Sequence, residues 1–142
     1  KGEIPMIQII SGEKGEGKTK HLIDMANTKV KETPGHIVYL NNDREHMYQL
    51  HYKIRFIVVD DFPVKNSKEF LGFICGIIAQ DHDIDHIYID GLLKMTNLTL
   101  EEAYNLIEEL RQVGEKFNVN FVIGMSCRNK DIPESLKSYL IA

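Results

Sequence analysis

A three-layer α/β domain built on a five-stranded, mainly parallel sheet is the fold this sequence predicts, and three observations carry the prediction. Short β-rich runs alternate with amphipathic helical ones along the whole chain, the pattern of a parallel sheet covered by helices. The first apolar run, Ile4 to Ile10, opens into the stretch Gly12-Glu13-Lys14-Gly15-Glu16-Gly17-Lys18-Thr19, and a helical pattern follows. With 142 residues, 43% apolar and 27% charged, the chain suits one globular domain over residues 1–142 with a full core.

Taken in order, strand one spans Ile4 to Ile10 and the next helix Lys18 to Lys31, which places Leu22, Ile23, Ala26 and Val30 on one stripe. Thr33-Pro34-Gly35 ends that helix. Strand two is His36 to Asn41, and the polar stretch from Asn42 to Lys53, with Met47 and Leu50, holds a short helix. Strand three is Arg55 to Asp60. Asn66 and Glu69 cap a helix running to Gln80 that is apolar on more than one side, which predicts deep packing. Strand four is His86 to Asp90. Thr99 with Glu102 forms a capping box for a helix whose stripe is Leu100, Ala103, Leu106, Ile107, Leu110, Val113 and Phe117. Strand five runs from Val119 to Met125, and Pro133 opens a last short helix.

The chemistry starts at the loop from Gly12 to Thr19, which fits the pattern glycine, four residues, Gly-Lys-Ser/Thr without a mismatch. In such a loop successive backbone N–H groups and a helix N-terminus face the phosphates of a nucleotide. Gly12, Gly15 and Gly17 permit backbone angles and close approaches that a Cβ forbids. Lys18 reaches the β- and γ-phosphates, Thr19 binds Mg²⁺, and Glu13, Lys14, Glu16 and Lys20 complete the surround. The pattern therefore calls for a nucleoside triphosphate with Mg²⁺, without choosing between ATP and GTP. A carboxylate must hold the magnesium shell from the end of an apolar strand. Asp60, after Phe56-Ile57-Val58-Val59, and Asp90, after Ile87-Tyr88-Ile89, both qualify.

The run from Ile57 to Arg128 resembles the ATPase core shared by RecA-type recombinases and replicative DNA helicases. The matching pieces are Val58-Val59-Asp60-Asp61-Phe62-Pro63, then Ile87-Tyr88-Ile89-Asp90-Gly91-Leu92-Leu93, then Asn118 through Arg128. This resemblance implies a P-loop NTPase fold of strand order 3-2-4-5-1. It makes Asp90 the magnesium-site carboxylate and Asp60 peripheral, and it puts Ser126 where a γ-phosphate sensor sits. The chain also resembles small bacterial ATP-binding proteins, some labelled for twitching motility, although the histidine and acidic boxes of pilus-retraction motors are not recognisable.

Three departures qualify the reading. The resemblance expects a water-positioning glutamate at the end of strand two, and Asn41 stands there. Asparagine orients water but accepts protons poorly, so slow hydrolysis is expected; Asp43 and Glu45 substitute only if the chain turns inward. Glu13 and Glu16 repel a triphosphate unless they point away. Strand one lies at a sheet edge, blunted only by Pro5, so residues 1–6, the tail after Pro133 or a second subunit should cover it.

Other classes are disfavoured. A net charge of −4 with dispersed basic residues leaves no footprint for duplex DNA, and nucleic acid is not an expected partner. After Asp90 the residues Leu92, Leu93 and Met95 make an apolar loop with only Lys94 basic, which suits packing or a partner contact better than strand binding. No membrane span or signal pattern is present, and Lys1-Gly2 without a methionine suggests a processed start. Cys75, in an apolar run, and Cys127 form no CxxC, so a buried, reduced Cys75 and a cytosolic setting are expected. Asp81-His82-Asp83-Ile84-Asp85-His86 reads as a solvated turn rather than a metal site. Arg111 and Arg128 read as capping residues rather than arginine fingers. The leading function is a Mg-ATP-binding protein with at most slow hydrolysis, acting as a switch or assembly subunit. A nucleoside-kinase-like phosphotransferase and a degenerate nucleotide-binding scaffold are the alternatives. A kinase lid needs clustered arginines, and Arg44, Arg55, Arg111 and Arg128 form no cluster.

Overall fold

The computed structural model describes residues 6–13 and 17–142. Five strands, β1 (Ile7–Ser11), β2 (His36–Asn41), β3 (Arg55–Val58), β4 (Ile84–Asp90) and β5 (Asn120–Met125), form one sheet of order β1-β5-β4-β2-β3. Every pairing is parallel. The order is the one that the resemblance implies.

The strands read as unbroken apolar runs because both faces of the sheet are buried. Alternation splits their side chains into two cores. Ile7, Ile9, Val38, Leu40, Ile87, Ile89, Phe121 and Ile123 pack under α2 (Ser67–Ala79), α3 (Leu92–Thr96) and α4 (Leu100–Phe117). Ile10, Ile37, Tyr39, Tyr88 and Val122 pack under α1 (Lys18–Glu32), together with Leu50 and Ile54 from the segment between β2 and β3. The Thr99 hydroxyl accepts from the Glu102 N–H and the Glu102 carboxylate accepts from the Thr99 N–H, which fixes the start of α4.

Several expectations are corrected. Asp60 lies outside the strand: β3 ends at Val58, and Val59–Asp61 forms a 3-10 turn. The helix α2 is not deeply packed on several sides, because only the stripe Phe70, Ile74 and Ile78 is buried. Cys75 sits one residue round from that stripe and is exposed, not buried. The apolar stretch after Asp90 is a short helix rather than a loop, with Leu92 and Met95 in the core. Pro133 precedes the final 3-10 segment, Glu134–Tyr139, instead of standing inside it.

The exposed flank of β1 is met by the tail. Leu140 bridges to Ile9 in parallel, the Ile141 N–H donates to the Ile9 carbonyl at 2.9 Å, and the Ser11 N–H donates to the Ala142 carbonyl at 2.9 Å. Leu136, fully buried, and Ile132 anchor the approach. Of the three covers expected, this one is seen; residues 1–5, Pro5 included, lie outside the described residues.

At Gly114 of α4 a Cβ would stand 2.5 Å from the Val119 carbonyl oxygen. Alanine there cannot be absorbed by a flexible side chain, since the obstacle is the backbone entering β5. Gly114→Ala should therefore cost about 1–3 kcal/mol despite alanine's better helix propensity. Urea unfolding checks this; a stabilised variant would show that α4 can slide away from β5.

Candidate nucleotide site

The C-terminal ends of the parallel strands bring the motifs together, the usual place for a ligand in an open α/β sheet. In register, Asn41 of β2 pairs with Asp90 of β4, Asp90 with Gly124 of β5, and Ser11 of β1 with Met125. These tips surround a cleft of about 470 Å³ lined by Glu13, Gly17, Lys18, Thr19, Lys20, Asn41 and Ser126. Asp43, Glu45 and His46 close its outer side. Lys14, Gly15 and Glu16 lie outside the described residues.

The loop's exit is built for an anion. Gly17 has φ +80 and serves as the N-cap of α1, a left-handed conformation for which glycine carries no Cβ penalty. No side chain caps the helix there and its first turn carries no acidic residue. Its first N–H groups lie at the cleft, and the helix dipole favours negative charge at that end. Gly12 is buried, and its N–H donates to the Met125 carbonyl at 3.2 Å, fixing the loop's start against β5.

Lys18 and Asp90 both lie beside Gly124. A Cβ on Gly124 would stand 2.8 Å from the Leu22 Cδ1, and in ordinary contact, at 3.5 Å, with the Lys18 Cδ and an Asp90 carboxylate oxygen. Asp90 is 4% exposed and sits beside the cleft rather than on its lining. Its other oxygen accepts a hydrogen bond from the Tyr39 hydroxyl at 3.1 Å. Tyr39 is held between the rings of Tyr88 and Phe56, stacked at centroid distances of 6.1 and 5.9 Å. Burial, reinforced by the Asp90 charge and this hydrogen bond, raises the Tyr39 pKa far above its usual value, so the phenol remains the donor. Burial also raises the pKa of Tyr88. A buried carboxylate beside the Thr19-bearing helix is a hard oxygen donor of the kind Mg²⁺ takes, usually with retained waters. The residues present fit both a phosphate chain and its metal.

Tyr39→Phe keeps the aromatic stack and removes the donor to Asp90. Wild-type stability should fall as pH rises above about 10, because Tyr39 and Tyr88 then ionise in the unfolded chain but not in the fold. The variant should lose about 1–2 kcal/mol at neutral pH and show a shallower alkaline fall. Urea midpoints measured across the alkaline range check this, and parallel curves for both proteins would contradict it.

The remaining residues are placed as follows. Asn41, 9% exposed, turns its side-chain oxygen back to the Asn42 N–H at 2.7 Å. Asp43 does bend toward the cleft, but its carboxylate accepts the Glu45 N–H at 2.9 Å as a local cap. Ser126 is exposed just beyond β5. Burial raises the pKa of the neighbouring Cys127 thiol, which disfavours its thiolate. Arg128 pairs with Asp131 at 2.9 Å and stands 3.7 Å from Glu13. Arg111 pairs with Glu108 and Glu115 along α4, at 2.9 and 2.7 Å. Lys20 pairs with Asp24 at 3.1 Å. Asp60 is exposed beyond β3, which β4 and β2 separate from β5 and Gly124 in the sheet order. At the opposite end of the sheet Asp81 accepts from His36 at 2.8 Å and from Arg55 at 2.7 Å, which makes that turn an ion-paired one. Tyr39 and His46 were missed by motif reading; the period of two from Asn41 back to Tyr39 is the signal that could have found the first.

A family model described as RNA helicase matches residues 8–84. That span holds the phosphate loop, β2 and β3 and ends as β4 begins. No curated protein matches the chain. No helix among the described residues is long and apolar enough to cross a membrane.

Proposed function

The chain belongs to the RNA helicase family, a P-loop nucleotide-binding domain, and on that premise we propose that it binds Mg-ATP, hydrolyses it slowly at most, and acts in the cytosol as a switch or as a subunit of an assembly. The observation that carries this is the placement of Lys18 and Asp90 beside Gly124, next to the N-terminus of α1. In this reading the α1 N–H groups and Lys18 hold the phosphates. Thr19 and Asp90 hold Mg²⁺, which supplies charge neutralisation and orientation when bound. Ser126 faces the terminal phosphate. Asn41 orients water without accepting its proton, which lowers the rate more than the affinity.

The phosphotransferase reading is weakened by two observations. In a kinase layout the strand bearing the magnesium carboxylate adjoins β1, whereas β5 lies between them here. All the arginines are tied in ion pairs, Arg44 with Asp61, Arg55 with Asp81, Arg111 with Glu108, and Arg128 with Asp131. The assembly role rests on the β1 flank, an edge of the sheet along which, among the described residues, Leu140–Ala142 lies. Calorimetric titration with Mg-ATP, followed by a time course of phosphate release, tests the whole. Saturable heats with turnover below about 1 s⁻¹ are expected. Absence of binding would leave the scaffold reading, and faster turnover would overturn the role given to Asn41.

A further inference from the structure

Beyond its first turn, α2 presents an outer face without charge. From Phe70 to Gln80 the chain carries no charged residue, yet only Phe70, Ile74 and Ile78 of the helix are buried. Gly72, Cys75, Gly76 and Ala79 are exposed, and Phe73 is half-buried beside them. Phe62, 47% exposed, extends the patch, with its ring centroid 5.3 Å from that of Phe73. A helix that only meets water normally carries polar and charged side chains on this side.

Gly72 and Gly76 lie one turn apart on that face. A Cβ at either would meet nothing within 4 Å, so no contact among the described residues requires glycine there. Each glycine weakens the helix relative to alanine. What it offers in return is room for a second helix to approach closely.

The charges at the ends of the patch select the occupant. Lys65 and Lys68 stand exposed at the N-terminal end of α2, and Asp81 and Asp83 follow its C-terminal end. The Glu69 carboxylate is turned back to accept the Lys65 N–H at 2.7 Å. A second α2, antiparallel and centred at the level of Ile74, sets Gly72 of one copy opposite Gly76 of the other. The same register brings the lysines of each copy to the Asp81–Asp83 end of the other, with no charge between. A parallel pair would lay lysine on lysine. An anionic membrane fits less well, because Asp60 and Asp61 precede Phe62 at the edge of the patch.

We propose that two copies of this chain pair through α2, related by a two-fold axis. Such a contact is isologous and closes at two copies. It goes beyond the nucleotide reading, uses a surface apart from the β1 flank and needs neither Mg-ATP nor the phosphate loop, so the two can fail separately.

Sedimentation velocity over a concentration series tests the pairing. Wild type should show a monomer–dimer equilibrium. A protein monomeric up to about 100 μM, about two decades weaker than the micromolar end of standard interfaces, would overturn the proposal. Gly72→Ala with Gly76→Ala should raise the thermal midpoint of the dilute monomer by about 4 °C and weaken pairing at least about tenfold. Opposite signs in one variant separate an interface from a loss of fold. Lys65→Glu with Lys68→Glu should weaken pairing too, and more so at low salt. In a Cys127→Ser background Cys75 is the single remaining thiol, close to the proposed axis, so a short bismaleimide should link two copies through it. The glycine variant should give unaltered Mg-ATP titrations. Pairing unaffected by that variant, absence of the Cys75 link, or growth beyond dimers would overturn the proposal. Binding to anionic vesicles without self-association would overturn it in favour of a membrane contact.

Discussion

Lys18→Ala should abolish measurable Mg-ATP binding, with affinity falling at least about a hundredfold. A charge-assisted hydrogen bond to phosphate is worth up to about 3 kcal/mol, which is about two decades in Kd. The Lys18 side chain passes beside Gly124, as does the buried Asp90 carboxylate, so the truncation falls at the centre of the site. The fold should survive. Lys18 opens α1 at its solvent-facing end, while the helix is held by Leu22, Ile23 and Ala26. Titration calorimetry reads the affinity, and circular dichroism confirms that α1 persists. Equal heats for wild type and variant would remove Lys18 from the site and, with it, the nucleotide reading of the cleft.

Asn41→Glu is the second large effect, and it is a gain. The Asn41 Cα is paired with that of Asp90 at the tips of adjacent strands, and its side chain lines the cleft. A glutamate there places a proton acceptor beside the phosphate end of the site, and a positioned general base contributes about 10²–10⁴-fold in favourable geometry. Phosphate release under single-turnover conditions should rise at least about tenfold. The nucleotide-free variant should be less stable by up to about 1 kcal/mol, because two carboxylates then face each other across the strands and the Asn42 N–H loses its cap. Added Mg²⁺ should restore part of that loss. An unchanged rate in a variant that still binds Mg-ATP would show that another residue, such as Asp43, already positions the water.

Much of the scaffold was legible before any coordinates. The loop from Gly12 to Thr19 has a fixed spacing because phosphate geometry fixes it, and the β2 and α4 boundaries follow from Gly35, Thr99 and Glu102, which act on backbone atoms a few residues away. Where packing set the outcome, local pattern was insufficient. Leu92, Leu93 and Met95 read as a loop, yet Gly91 at φ +100 turns the chain into a short helix there. Cys75 looked buried in an apolar run, yet Phe70, Ile74 and Ile78 define the inward stripe. Asp60 and Asp90 ended similar apolar runs, and only their strands' places in the sheet separate them.

What the sequence determined by itself is therefore the class of fold, the phosphate loop and the absence of glutamate at Asn41, all short-range facts written in consecutive residues. The tertiary structure decided the rest. It set Lys18 and Asp90 beside Gly124, gave Asp90 its hydrogen bond from Tyr39, laid Leu140 to Ala142 along β1, and brought Lys53 and Arg55 to one cleft with Thr33 and His36. Each of these joins residues far apart in the chain. Which pairs meet depends on strand order and side-chain packing, and those are properties of the whole sheet rather than of any one segment.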